Sequence, residues 1–186
     1  IRNHLFPKMV SPNIVIFTFN TNYDRKFFTN GVKIRLTKDL RWSRCDIKST
    51  SLLANVLEKQ KANDKGFFES WQMRDNYITE GSTSNAFIVN KAGEIQTHPN
   101  NNFILGGITR DSVISIAKKN KYSVKEKAFN VSDIEECKEA FLTSTTVGIM
   151  PVIKIDNRKI NTGKPGIITK ALSQKYSDFL NSHIYV

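Results

Sequence analysis

Short runs rich in β-branched and aromatic residues recur along the sequence, and they constrain the fold more than any other feature. They predict strands at residues 14–19, 31–39, 67–74, 77–80, 85–89, 94–97, 140–143 and 152–155. Turn residues at 75–76, 90–93 and 156–157 follow three of these runs and predict β-hairpins. The pattern therefore indicates a sheet built largely from neighbouring strands.

Segments with helical spacing alternate with these strands. Helices are predicted at residues 49–65, 109–119, a short stretch near 132–135, and 167–179. Thr109 is the predicted N-cap of the second helix, and Ser132 with Glu135 forms a predicted capping box for the third. Strands mixed with three or four helices indicate an α+β, or mixed α/β, fold.

Composition narrows the range of partners. The 186 residues include 28 Lys and Arg against 17 Asp and Glu, a net charge of +11. Because the basic residues are spread along the chain, we interpret them first as surface charge, then as attraction for anionic ligands, and only last as a nucleic-acid site. No run of about 18 apolar residues occurs, so no membrane partner is predicted. Cys45 and Cys137 lack metal-ligand spacing, which predicts free thiols, a cytoplasmic protein and no metal.

Four polar stretches are candidates for chemistry. Lys48 lies in CDIKSTSLL between a predicted strand and a helix, and Glu80 lies in ITEGSTSNAF at the end of a predicted strand. GGITRD at 106–111 places two glycines before a helix, and residues 143–146 are four consecutive hydroxyl residues. Each stretch alone is also typical of a surface lysine or a polar turn. Together they predict pyridoxal 5'-phosphate, which needs a lysine, a carboxylate and a phosphate site.

The segments WSRCDIKS, ITEGSTSNAF, THPNNNFILGGITRD and FLTSTT resemble the fold-type IV (class IV) pyridoxal-phosphate-dependent aminotransferases, in order and over essentially the whole chain. RNHLFP and RCDIKS favour the D-amino-acid (D-alanine) aminotransferase branch. The resemblance implies the C-terminal cofactor-binding domain of the D-amino-acid aminotransferase-like fold at residues 24–186. It also implies that the family's smaller N-terminal domain is largely absent, with residues 1–23 as its tail and the interdomain linker.

The resemblance further implies a role for each matching residue. Lys48 forms the internal aldimine with the cofactor and moves the proton at the substrate Cα, and Glu80 pairs with the ring nitrogen. The remaining cofactor contacts are Ile108, Thr109, Ser144 and Thr145 at the phosphate and Leu105 at the ring. Arg2 and His4 bind the substrate α-carboxylate.

As a whole, the resemblance implies transamination between D-amino acids and 2-oxo acids by a homodimer. Two alternatives share the fold: branched-chain L-amino-acid aminotransferase and aminodeoxychorismate lyase. A third, from a different class, is a basic binding module without catalysis, which rests on the net charge alone. Val147 and Gly148 stand where D-amino-acid relatives usually carry Ser-Glu, which weakens the substrate assignment and leaves Lys48 untouched.

Overall fold

The structure, a computed structural model, describes residues 4–6, 8–20 and 26–183. The strands are β1 (Val32–Lys38), β2 (Glu69–Arg74), β3 (Tyr77–Gly81), β4 (Asn85–Val89), β5 (Ile95–Thr97), β6 (Val124–Glu126), β7 (Glu139–Ser144), β8 (Gly148–Ile155) and β9 (Arg158–Lys159). The helices are α1 (Lys26–Asn30), α2 (Leu53–Asp64), α3 (Ile108–Lys119), α4 (Val131–Glu136) and α5 (Ile167–His183).

All nine strands join one mixed sheet in the order β3-β2-β1-β8-β7-β4-β5-β6, with β9 beside β8. The interior strand β1 runs parallel to both neighbours, β2 and β8. The β2–β3, β4–β5, β4–β7 and β7–β8 pairs are antiparallel. This confirms the mixed α/β fold class and the three predicted hairpins. The first hairpin turns at Asp75 and Asn76, whose positive φ angles of 49° and 65° suit its two-residue loop.

Strand β4 is covered on both faces, which explains its uninterrupted apolar sequence. Because side chains alternate along a strand, Phe87 and Val89 lie in one buried cluster with residues of α3 and α5. Ala86 and Ile88 lie in a second cluster on the opposite face. Phe87 stacks on Phe141 of β7, with ring centroids 4.7 Å apart. The two clusters hold the centre of the sheet between layers of packed side chains.

The strand predicted at residues 14–19 is wrong. Ile14 and Phe17 are 78% and 73% exposed, and these residues belong to none of the strands that the structure describes. An apolar, β-branched run becomes a strand only when a neighbouring strand accepts its backbone hydrogen bonds. Within the described ranges, nothing pairs with this segment.

Two predicted helix caps are also wrong, although their helices exist. Helix α3 begins at Ile108 with Gly107 as its N-cap, so Thr109 lies inside the first turn. The capping box of α4 is formed by Asn130 and Asp133, each of which accepts a hydrogen bond from the other's backbone amide. Local sequence offered several polar cap candidates, and tertiary packing selected among them.

Other helix boundaries shift by a few residues. Helix α2 begins at Leu53 rather than at residue 49, and α5 continues to His183, beyond the predicted end at 179. Among the helices of residues 26–183, none combines the length and apolar character that crossing a lipid bilayer requires.

Candidate active site

A cavity of about 620 Å³ opens among four separate stretches of chain. They are the loop between β1 and α2, the turn after β3, the loop before α3 and the loop after β7. All seven residues that the sequence predicted as cofactor contacts line this cavity: Lys48, Glu80, Leu105, Ile108, Thr109, Ser144 and Thr145. The fold thus brings together side chains that are as far as 97 positions apart, since 145 − 48 is 97.

The two predicted substrate contacts are placed differently. His4 is exposed and is not among the residues that line the cavity. Arg2 lies outside the described residues. Their binding of a substrate carboxylate stays a prediction.

Lys48 is exposed at the cavity, in the loop between β1 and α2. Arg74 of β2 holds the first part of this loop, because its Nη2 donates to the carbonyl oxygens of Arg41 (2.8 Å) and Trp42 (2.7 Å). The same guanidinium lies 4.9 Å from the ring centroid of Phe103, in the loop before α3. One side chain therefore ties the loop that carries the lysine to the loop that carries Leu105.

Glu80 is the second-to-last residue of β3, lies at the cavity wall and is 5% exposed. Its Oε1 accepts a hydrogen bond from Arg41 Nη1, and its Oε2 accepts from Asn85 Nδ2 and from the Leu105 amide, both at 3.1 Å. Burial raises the pKa of Glu80 to about 7, although the charge and hydrogen bond of Arg41 oppose the shift. The carboxylate is thus held in place, and its charge depends on pH near neutrality.

Asp39, Arg41, Arg74 and Glu80 form a buried group of two acids and two bases. Asp39 Oδ2 accepts from Arg41 Nη2 at 2.7 Å, from Arg74 Nε at 3.1 Å and from Thr79 Oγ1 at 3.0 Å. Burial alone would raise the pKa of Asp39, but the hydrogen bonds and charge of Arg41 outweigh it and hold that pKa below its ordinary value. The positive charges of Arg41 and Arg74 offset the cost of burying the Asp39 carboxylate, whereas Glu80 still changes its charge near neutral pH.

The N-terminus of α3 faces the cavity with free capacity to bind an anion. Its N-cap, Gly107, has no side chain to accept from the first-turn amides. Such amides, with the helix dipole, favour a negatively charged group. A Cβ at position 107 would lie 2.3 Å from Asn85 Oδ1, so glycine allows the helix to start this close to β4.

Hydroxyl groups without protein partners line the same cavity. The side-chain oxygens of Ser82 and Thr143 are buried, and neither has a hydrogen-bond partner within residues 26–183. Ser144 Oγ and Thr146 Oγ1 lie 3.2 Å apart at the end of β7. Buried hydroxyls of this kind are normally satisfied, so this wall is suited to a polar ligand.

Sequence reasoning missed Arg41, Asp39, Arg74 and Asn85 as members of the site. Asn85 had a signal, since it lies in the motif ITEGSTSNAF. Nothing in the local sequence links Arg41 to Glu80 or Arg74 to Asp39, because these partners are 39 and 35 positions apart. The short Asp39–Arg41 spacing is equally typical of a surface ion pair.

The family profile described as Amino-transferase class IV matches residues 5–155 of this chain. The chain belongs to the class IV aminotransferases. The family resemblance drawn from the sequence motifs is therefore confirmed, and residues 5–155 include the lysine, glutamate and hydroxyl segments of the cavity.

Two class IV relatives illustrate the similarity. The chain is 43% identical over 185 residues to "D-alanine aminotransferase" of Staphylococcus aureus (strain N315), covering 98% of this chain and 64% of the relative. It is 40% identical over 169 residues to "D-alanine aminotransferase" of Bacillus licheniformis, covering 91% and 59%. The chain thus spans less than two thirds of the length of these relatives.

Solved aminotransferase structures share the fold. A branched-chain aminotransferase from the archaeon Thermoproteus uzoniensis with norvaline aligns with a TM-score of 0.76 at 27% identity, over 89% of this chain and 56% of that one. An aminotransferase from Brucella abortus bound to PLP aligns with a TM-score of 0.71 at 27% identity, over 82% and 55%. These similarities agree with the mixed α/β fold class.

Proposed function

We propose that this chain binds pyridoxal 5'-phosphate in the 620 Å³ cavity and serves D-amino-acid transamination. The observation that carries the proposal is that Lys48 and Glu80 line one cavity with the uncapped start of α3. The residues present fit the cofactor: the volume is typical of a small-molecule site, and the unpartnered hydroxyls of Ser82 and Thr143 offer hydrogen bonds. The excess positive charge of the chain favours a phosphorylated ligand.

Each cavity residue then has a distinct task. When bound, the cofactor supplies an electron sink for bond changes at the substrate Cα. Lys48 Nζ would hold the cofactor through its aldehyde group, and the same amine, when free, would move the proton at the substrate Cα. Glu80 accepts the hydrogen bond of the protonated ring nitrogen. The phosphate would be held by Ile108 and Thr109 in the first turn of α3 and by Ser144 and Thr145 after β7. The apolar side chain of Leu105 would pack on the ring.

Arg41 supports this arrangement through Glu80. Its guanidinium is permanently charged and bonds Oε1 of the carboxylate, which favours the ionised form that a protonated ring nitrogen requires. Asn85 and the Leu105 amide bond the other oxygen, Oε2. The carboxylate is therefore fixed before the cofactor arrives, so that little reorganisation accompanies binding.

Similarity to named relatives favours D-amino acids as substrates. Identity to D-alanine aminotransferases reaches 43%, whereas several branched-chain aminotransferases of known structure align at 26% to 29% identity. Arg2 and His4 stay the predicted contacts of the substrate carboxylate. Action as a cytoplasmic homodimer also stays a prediction. The branched-chain and lyase alternatives lack a supporting observation at the level of individual residues.

Borohydride trapping tests the cofactor proposal. The chain is incubated with pyridoxal 5'-phosphate, reduced with borohydride, digested and mapped by mass spectrometry, and the phosphopyridoxyl group is expected on Lys48. Lys48→Ala should abolish this adduct, whereas Lys91→Ala, at an exposed position away from the cavity, should retain it. Specific labelling of any other lysine, with Lys48 unmodified, would overturn the proposal.

A substrate panel tests the choice of amino acid. Transamination with 2-oxoglutarate is measured for D-alanine, L-alanine, L-leucine and D-leucine, with Lys48→Ala as the blank. We expect activity with D-alanine. Activity with L-leucine and none with D-alanine would replace the D-amino-acid assignment by the branched-chain alternative.

A further inference from the structure

Glu69 is a fully buried carboxylate that has no place in the reaction described above. It is the first residue of β2 and has 0% exposure. Within residues 26–183 it forms no ion pair; the nearby Lys59 donates its ammonium to the carbonyl oxygen of Phe68 instead. Burial raises the pKa of Glu69, and the hydrogen bonds of Ser84 and Thr83 with the charge of nearby Lys59 offset this effect only in part. Burying a carboxyl group without an ion pair costs folding free energy, and a role of Glu69 in the cavity would account for this cost.

Within the part of the chain that the structure describes, the carboxyl group of Glu69 accepts hydrogen bonds from the turn after β3 alone. Oε2 accepts from the Thr83 amide at 3.2 Å and from Thr83 Oγ1 at 2.8 Å, and Oε1 accepts from Ser84 Oγ. The turn is also closed on itself, since the Gly81 amide donates to the Ser84 carbonyl oxygen at 2.7 Å. Glu69 therefore lies beneath this turn and binds two of its residues.

Gly81 is adapted to this carboxylate. A Cβ at position 81 would lie 2.3 Å from Glu69 Oε1 and 2.3 Å from Ser84 Oγ, which leaves no space for a side chain. The pairing of β2 with β3 is irregular between Trp71 and Met73, so the two strands do not continue a uniform ladder toward this end. The side chain of Glu69 takes over part of the connection between β2 and the turn.

The turn is a wall of the cavity and lies between two residues of the site. Residues 81–84 all line the cavity, with Glu80 before them and Asn85 after them. Asn85 Nδ2 donates both to Glu80 Oε2 and to the carbonyl oxygen of Leu105 at 2.8 Å. A displacement of the turn would therefore change the distance between Glu80 and the amide that holds it.

We propose that Glu69 is a positioning residue of this cavity: through Thr83 and Ser84 it fixes the turn that sets Glu80, Ser82 and Asn85 at the ligand. The identity of the ligand, pyridoxal 5'-phosphate, rests on the function proposed above. The hydroxyl at position 83 is needed because it donates to Glu69, whether or not it also meets the ligand.

Hydrogen exchange tests the placement of the turn without any ligand. In Glu69→Met we expect the amides of residues 81–84 to exchange about tenfold faster, because the turn loses its hydrogen bonds to the buried carboxyl group. The matched control is Glu58→Met, which removes another buried carboxylate, one that does not line the cavity. Equal exchange of this turn in Glu69→Met and the unmodified chain would overturn the inference.

Cofactor affinity tests the consequence, with the dissociation constant of pyridoxal 5'-phosphate measured by absorbance. Glu69→Met and Thr83→Val should each weaken binding about tenfold, whereas Glu58→Met and the conservative Thr83→Ser should bind within about twofold of the unmodified chain. If Thr83 acts through Glu69, adding Thr83→Val to Glu69→Met should cost little more. Should Glu69→Met fail to fold, hydrogen exchange of residues 81–84 in Thr83→Val and Thr83→Ser, measured without cofactor, still tests whether the bond to Glu69 holds the turn.

The outcomes separate this inference from the proposed function. Fully additive losses in the double variant, or unchanged affinity in Glu69→Met, would overturn the role of Glu69 while leaving the cofactor proposal intact. Failure of the unmodified chain to bind pyridoxal 5'-phosphate would overturn the cofactor proposal, and hydrogen exchange would still determine whether Glu69 holds the turn.

Discussion

Among single residues, Glu80 couples the site most directly to pH. Its pKa is about 7 in the folded chain against an ordinary value of 4.5, because the carboxyl group is buried. The folded state therefore keeps a proton that the unfolded state releases between these two values. For this one group the free energy of unfolding falls as pH rises from 4.5 to 7, the reverse of the usual behaviour of an acid in an ion pair.

Glu80→Gln should remove this pH dependence. We expect the unmodified chain to lose about 3 kcal/mol relative to Glu80→Gln between pH 4.5 and pH 7.5, since one pKa unit corresponds to about 1.4 kcal/mol. The measurement is urea denaturation across that range without added cofactor. Glu135→Gln, at a half-exposed surface pair with Arg158, serves as the control and should follow the unmodified chain. Parallel pH profiles for Glu80→Gln and the unmodified chain would contradict the assignment.

Arg41 should contribute more to the free energy of unfolding than a surface arginine of the same loop does. Arg41→Met leaves Asp39 and Glu80 without their shared cation, at an expected cost of about 3–5 kcal/mol at pH 7.5. The cost should shrink at pH 5, where Glu80 is protonated in both proteins. Arg44→Met, which breaks the exposed pair with Asp46, should leave the free energy of unfolding nearly unchanged. Similar losses in the two variants, compared by urea denaturation, would contradict a buried charge network.

At the scale of secondary-structure elements, the start of α3 depends on its close approach to β4. Two adjacent glycines provide a matched pair, because a Cβ at Gly107 would lie 2.3 Å from Asn85 Oδ1 while one at Gly106 would make ordinary contacts at 3.5 Å with Asn100. The two positions differ in the room available for a Cβ atom. Backbone conformation does not require glycine at position 107, since its φ is −73°.

Gly107→Ala should therefore destabilise the chain by about 1–3 kcal/mol through overpacking, whereas Gly106→Ala should stay within about 0.5 kcal/mol. Because Asn85 also bonds Glu80, Gly107→Ala should weaken cofactor binding as well. Thermal denaturation and cofactor titration measure the two effects. If alanine is tolerated equally at both positions, the start of α3 is not set by this contact.

Elements whose signal is local were predicted well. The hairpin at Asp75 and Asn76 needs only two residues that tolerate positive φ between apolar runs. The run at residues 14–19 has the same composition as a strand and is not one, because pairing requires a partner that composition does not specify. The α4 cap moved to Asn130 for a related reason: several polar residues compete for the position, and packing decides.

At the scale of the whole molecule, the sheet and its two buried clusters lie within residues 26–183. Residues 4–6 and 8–20 are exposed throughout. This distribution supports the predicted division into a tail and linker at 1–23 and a cofactor-binding domain at 24–186, which we retain as a proposal.

Removal of residues 1–23 should leave the domain folded. We expect a midpoint of thermal unfolding within about 3 °C of the full chain, the shift that roughly 1 kcal/mol produces in a domain of this size. Circular dichroism and calorimetry measure the transition, and borohydride trapping at Lys48 checks the cavity. Loss of a cooperative transition on removal of residues 1–23 would place part of the core in that segment.

The sequence by itself determined the class of fold and the residues able to do chemistry, because strand and helix periods are local and the motifs around Lys48 and Glu80 are short and contiguous. Tertiary structure alone decided the strand order and the partners of those residues. Arg41 reaches Glu80, and Glu69 reaches Thr83, across 39 and 14 positions of sequence. Such contacts depend on which strands pair and on how the loops pack over them. The spacing of residues that are neighbours in sequence does not specify strand pairing or loop packing.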